Sequence, residues 1–96
     1  MKERTIEQKL VEAVRHAGGL APKFTSPGLV GVPDRIVLLP DGKLAFVEVK
    51  THGKKPRPVQ NLRKRQLELL GYKVFVLDDT QKIKDILKDI QGGGTE

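Results

Sequence analysis

Between Gly31 and Lys50 the chain reads GVPDRIVLLPDGKLAFVEVK, in which two apolar runs, Ile36 to Leu39 and Leu44 to Val49, flank a Pro40-Asp41-Gly42 turn signal. This pattern predicts a β-hairpin with a loop of a few residues. Successive side chains of a strand face opposite ways, so Leu44, Phe46, Glu48 and Lys50 share one face while Ala45, Val47 and Val49 share the other. Glu48 and Lys50 thus prolong a line of apolar residues. On a covered face an ionised carboxylate and an ammonium are costly unless they pair or meet a cation. Asp34 opens the partner strand, and a short hairpin brings it across from Glu48. Two carboxylates and a lysine then converge, and a divalent cation removes the repulsion between the carboxylates; hard oxygen ligands suit Mg²⁺, with Mn²⁺ as substitute. The same residues also fit a plainer arrangement, in which Glu48 and Lys50 form a salt pair on a solvated strand end and Asp34 starts a turn after Pro33.

The chain has 96 residues, enough for one small core, and 18 Lys and Arg against 12 Asp and Glu give a formal charge of +6. Such a balance favours a polyanionic partner, nucleic acid ahead of an acidic membrane surface. The excess is local: Lys50, Lys54, Lys55, Arg57, Arg63, Lys64 and Arg65 occur between positions 50 and 65 with no acid among them. Without cysteine there is no disulfide framework, Cys-ligated zinc or thiol nucleophile. The charged start Met1-Lys2-Glu3-Arg4 and the lack of a long apolar run predict a soluble, intracellular, cytoplasmic protein with no membrane partner, as in a bacterial or phage-infected cell. With no Trp, one Tyr and three Phe, a base-stacking platform for single strands is poorly supplied.

Thr5-Ile6-Glu7-Gln8 predicts a helix start with Thr5 as N-cap and Gln8 completing a capping box. Ile6, Leu10, Val11, Val14 and Ala17 form its apolar stripe, and Gly18-Gly19 ends it. Glu7 sits on the stripe's edge, able either to lean toward the core or to serve the helix dipole. Leu20 to Phe24, interrupted by Pro22, is a short edge strand or an extended connection, followed by a loop from Thr25 to Gly31. After the hairpin, a polar basic loop leads to a second helix from Pro58 to Leu70, with Val59, Leu62, Gln66, Leu69 and Leu70 on its inner side and Gly71 as its stop. Tyr72 to Leu77 is a strand whose Val74 to Leu77 run is expected to be buried on both faces, and it should lie parallel to the hairpin strand it follows. Asp78-Asp79-Thr80 caps a last helix carrying Ile83, Ile86, Leu87 and Ile90. The expected order is α-β-β-β-α-β-α, an α/β fold with a mixed sheet flanked by helices, in one domain over 1–91 with a flexible tail at 92–96.

These pieces together resemble the PD-(D/E)XK nuclease superfamily, and more narrowly its VRR-NUC (virus-type replication-repair nuclease) family. The matching residues are Glu7 in the first helix, Gly31-Val32-Pro33-Asp34-Arg35, Phe46-Val47-Glu48-Val49-Lys50, and Gln60 at the start of the second helix. The resemblance implies a restriction-endonuclease-like core and a small stand-alone nuclease, similar to Holliday-junction resolvases in size and in acting as a homodimer. It implies that Asp34, Glu48 and the main-chain carbonyl of Val49 hold Mg²⁺, with Glu7 acting through a water or a second ion. Lys50 would orient the attacking water or stabilise developing charge, and Gln60 would align Lys50 or touch phosphate. The basic residues Lys54, Lys55, Arg57, Arg63, Lys64 and Arg65 would grip the DNA backbone, with Lys55 and Arg57 nearest the site. The expected activity is Mg²⁺-dependent endonucleolytic cleavage of DNA, branched DNA such as a four-way junction in particular. A catalytically silent basic DNA-binding module with the same fold is the alternative.

Overall fold

A computed structural model describes residues 2–92, which form three helices around a three-stranded sheet. Helix α1 spans Glu3–His16, strand β1 Arg35–Leu39, strand β2 Lys43–Val49, helix α2 Pro58–Leu69, strand β3 Val74–Leu77 and helix α3 Ile83–Ile90. The expected tail at 92–96 lies outside the described residues except for Gly92. Among the described residues no helix is long and apolar enough to cross a membrane.

The hairpin forms as its sequence predicts. β1 and β2 pair antiparallel, with Arg35 opposite Val47 and Val37 opposite Ala45. Asp41 and Gly42 turn the chain with φ of 67° and 72°, a left-handed conformation that Asp-Gly adopts more readily than most pairs. β3 then pairs parallel to β2, setting Glu48 opposite Val76 and Val49 opposite Leu77. β2 is therefore the central strand.

Pairing register sorts the sheet into two faces. Val37, Leu39, Ala45, Val47, Val49 and Leu77 point to one side, where they bury against Ile6, Leu10 and Val14 of α1 and Ile83, Ile86 and Ile90 of α3. That is the hydrophobic core, and the apolar stripes of both helices are spent on it. Ile36, Leu38, Leu44, Phe46, Glu48, Val74 and Val76 point to the other side, where α2 lies.

Several boundaries differ from expectation. α1 begins at Glu3, two residues before Thr5, and its N-cap Lys2 makes no side-chain capping bond; an acid in the first turn favours the earlier start through the helix dipole. Leu20 to Phe24 runs along the outer edge of β1 through isolated bridges at Leu20–Leu38 and Lys23–Arg35 rather than as a strand. Pro22 offers its carbonyl to the Ile36 amide at 3.0 Å but has no N–H to return, so the ladder is interrupted there. The last strand starts at Val74, not Tyr72, and only Val74 and Leu77 are fully buried, because β3 ends the sheet. The largest correction concerns α2. None of its residues is buried, and the expected inner positions Leu62 and Leu69 are 51% and 77% exposed, with the capping Leu70 at 73%. Near its start α2 meets the loop before β1 through Val59 and the sheet through Gln60 and Lys64, and its Leu62 and Leu69 are left in solvent.

Candidate active site

Glu48 is the one charged side chain buried in the described chain, at 4% exposure, and its strand determines why. β2 is apolar on both sides of Glu48, is flanked by β1 and β3, and is overlaid at this point by α2. Two neighbours contact the carboxylate. Gln60 donates from Nε2 to Oε2 at 2.5 Å, and Lys50 Nζ lies 3.4 Å from the same oxygen. The other oxygen, Oε1, is buried with no hydrogen-bond partner.

Asp34 precedes β1, and extending the hairpin register by one position sets it opposite Glu48. Its carboxylate accepts a 2.8 Å bond from the backbone N–H of Val49. The hairpin therefore brings Asp34, Glu48 and Lys50 to the same end of β2, and the Asp34 carboxylate is tied to the strand beside its neighbours. Burial, first, and then the Asp34 charge push the Glu48 carboxyl up to about 7, against the lowering effect of Lys50. Asp34 is also raised, chiefly by burial and then by the charge of Glu7; the Val49 amide, Lys50 and Arg35 oppose the shift.

Gln60 has a second contact that places α2. Its Oε1 accepts from the backbone N–H of Arg57 at 2.8 Å, which closes the helix start while Nε2 holds Glu48. The resemblance implied that Gln60 aligns Lys50 or touches phosphate; its side-chain amide here also donates to Glu48, the ion-pair partner of Lys50. Glu7 is linked to this cluster by its charge, which acts on Asp34. It accepts a 2.8 Å bond from Arg35 Nε, and Arg35 also donates from Nη1 to the Ala21 carbonyl at 2.8 Å. Among the described residues no three His, Cys, Asp or Glu side chains gather into a metal-holding group. The side-chain oxygens at the β2 end thus come from Asp34 and Glu48, and the orphaned Glu48 Oε1 between raised carboxyls is a donor set that suits a divalent cation.

The basic residues divide into two groups. Lys54, Lys55, Arg57 and Arg65 are exposed, and among the described residues no hydrogen bond or ion pair holds their charged ends. Arg63 and Lys64 are engaged: Arg63 donates to the Val30 carbonyl and to Gln66, and Lys64 pairs with Glu68 at 2.9 Å. The loop carrying Lys54 and Lys55 is fastened to the end of β3, where Asp78 Oδ2 accepts from the Gly53 amide at 3.4 Å and the Asp78 carbonyl meets His52 Nδ1 at 3.3 Å. A bond from Lys82 holds the Asp78 carboxyl below the usual range. Sequence patterning missed Arg4 and Lys23, which line a polar groove of about 510 Å³ with Glu7, Gln8 and Arg35. The bridge between Lys23 and Arg35 brings Lys23 to this groove, and Pro22 hides that pairing from periodicity.

No family model matches the chain. A protein described as "Putative nuclease p44" from Acyrthosiphon pisum secondary endosymbiont phage 1 is 51% identical over 87 residues, covering 91% of this chain and 92% of that protein. A solved structure described as "VRR_NUC domain" superposes with a TM-score of 0.84 at 31% identity, over 90% of this chain and 94% of the other. By its sequence, its fold and the residues gathered at the end of β2, the chain belongs to the VRR-NUC family of nucleases.

Proposed function

We propose that the chain is a metal-dependent endonuclease that hydrolyses phosphodiester bonds in DNA, prefers branched DNA such as a four-way junction, and works as a homodimer built from one domain over 1–91. The observation that carries the catalytic part is the buried, unpartnered Oε1 of Glu48 beside Asp34. An unsatisfied carboxylate oxygen in a buried strand costs stability unless a cation completes it. Asp34, Glu48 and the Val49 carbonyl would hold Mg²⁺, or Mn²⁺ in its place. Bound there, the metal would stabilise charge on the phosphorus oxygens and make a water easier to deprotonate.

The chain's own residues do the rest. Gln60 holds Glu48 in one rotamer, so the free oxygen keeps its direction. The Lys50 ammonium, at the same end of the strand, orients the attacking water or meets charge as the phosphorus–oxygen bond breaks. Lys54, Lys55, Arg57 and Arg65 are free to contact phosphates on either side, contacts that confer affinity for backbone rather than base sequence. Cutting both strands of a symmetric substrate needs two sites related by a two-fold axis. A second copy also has a surface to cover: Leu20, Leu38, Leu44, Leu69, Leu70 and Tyr72 are all exposed on or beside the α2 face of the sheet.

The test is cleavage of an end-labelled four-way junction, a linear duplex and a single strand in Mg²⁺ or EDTA. The wild type should cut the junction at paired, symmetric positions only with metal, while Lys50→Ala binds without cutting. Equal binding with no cleavage in any divalent metal would leave a silent DNA-binding module.

A further inference from the structure

Four residues before Asp34 the chain exposes two adjacent aliphatic side chains, Leu29 at 43% and Val30 at 65%. An apolar loop tip in a chain of charge +6 is unusual enough to ask what it meets. The loop is held firmly. Arg63 reaches across from α2 and donates from Nε to the Val30 carbonyl at 2.8 Å. Gly31, with φ of 86°, packs so tightly on α2 that a β-carbon there would lie 2.7 Å from the Val59 carbonyl. The Leu29 amide closes a turn on Ser26 at 3.2 Å. An Arg placed to bind phosphate is thus spent on presenting two aliphatic side chains to solvent.

The position of the tip suggests its use. Gly31 and Pro33 surround one small void with Glu48, Pro56, Gln60 and Lys64, so the base of the loop packs beside the candidate active site and beside the basic loop leading into α2. A DNA backbone held against Lys54, Lys55 and Arg57 would pass Glu48 with its bases toward Leu29 and Val30. Aliphatic side chains inserted at a base step unstack it and kink the duplex, and the cost is least where stacking is already broken. A branch point is such a place.

We propose that Leu29 and Val30, latched by Arg63, form a wedge that takes the end of a base stack at a DNA branch, and that this wedge gives the enzyme its preference for branched over linear substrate. The inference rests on the branched-DNA nuclease reading above. Arg63 here is a positioning residue: it acts through the loop it holds.

Placing 2-aminopurine at the branch of a four-way junction, and inside a linear duplex of equal length, tests this. Wild type in EDTA should raise the fluorescence of the junction and not of the duplex. Leu29→Ser/Val30→Ser should bind the junction without that rise, and in Mg²⁺ its branched-over-linear ratio of kcat/KM should fall about tenfold. Arg63→Ala, with both tip side chains present, should show the same two losses. A double variant that keeps the rise and the ratio overturns the wedge, and so does one that loses them only because sedimentation shows its dimer gone. A rise in fluorescence with no cleavage under any metal removes the nuclease reading and keeps the wedge; cleavage with no rise removes the wedge and keeps the nuclease.

Discussion

The two faces of the sheet are built from the same three strands and serve opposite ends. On one, α1 and α3 cover Val37, Ala45, Val47, Val49 and Leu77, every fully buried side chain is apolar, and the charged Arg35 at the edge of the face pairs with Glu7 of α1. On the other, α2 buries none of its own residues, covers the sheet only near Glu48, and leaves Leu38, Leu44, Leu69, Leu70 and Tyr72 in solvent. The single buried charge belongs to this second face, as does the one buried oxygen without a partner among the described residues. Concentrating burial energy on one face lets the opposite end of β2 hold a pair of carboxylates that repel each other, an arrangement a 96-residue chain could not sustain throughout.

The comparison breaks most sharply at the site itself. Asp34→Asn, Glu48→Gln or Lys50→Ala should each lower cleavage on the order of a thousandfold, with the fold intact by circular dichroism. On the core face the effect should reverse in kind: Leu10→Ala is expected to cost about 3 kcal/mol in a urea melt, whereas Leu69→Ala should change the monomer's stability by less than about 0.5 kcal/mol.

The pH dependence sharpens the contrast further. The folded chain keeps the Glu48 proton to about pH 7, whereas the ordinary value is 4.5. Between those values the folded state binds more protons than the unfolded one, so the stabilising difference present below pH 4.5 is lost as pH rises toward 7. Without metal, stability should fall by up to about 3 kcal/mol across that window. Glu48→Gln should flatten the profile, and Mg²⁺ should raise the melting temperature more at pH 8 than at pH 4.5.

Two smaller effects concern α2. Leu69→Ser/Leu70→Ser should shift a sedimentation profile toward monomer by removing apolar area from the uncovered face. Lys64→Ala should change stability by less than about 0.5 kcal/mol, since its partner Glu68 is an exposed residue one helical turn away.

The core face was legible in the chain because helical and strand periods alone name Ile6, Leu10, Val14, Ile83, Ile86 and Ile90, and alternation names Val47 and Val49. The meeting of Asp34 with the end of β2 was legible too, since a hairpin with a tight Asp-Gly turn leaves little choice of register. α2 was not. Its pattern tells which leucines share a side but not whether anything lies against them, and Leu62, Leu69 and Leu70 are uncovered. The Glu7–Arg35 pair joins positions 28 apart, and the Arg63 bond to Val30 joins positions 33 apart. Such contacts depend on how a helix sits on the sheet, which no local period encodes.

The most direct test of the account is whether the end of β2 binds a cation through Glu48. Calorimetric titration of the protein with Mn²⁺ near pH 7, in buffers of different ionisation heat, reads both binding and proton release. The wild type should bind with release of a proton as Glu48 ionises, and Asp34→Asn and Glu48→Gln should each abolish the binding. Equal Mn²⁺ binding by wild type and Glu48→Gln, or none by the wild type at millimolar metal with DNA present, would contradict it.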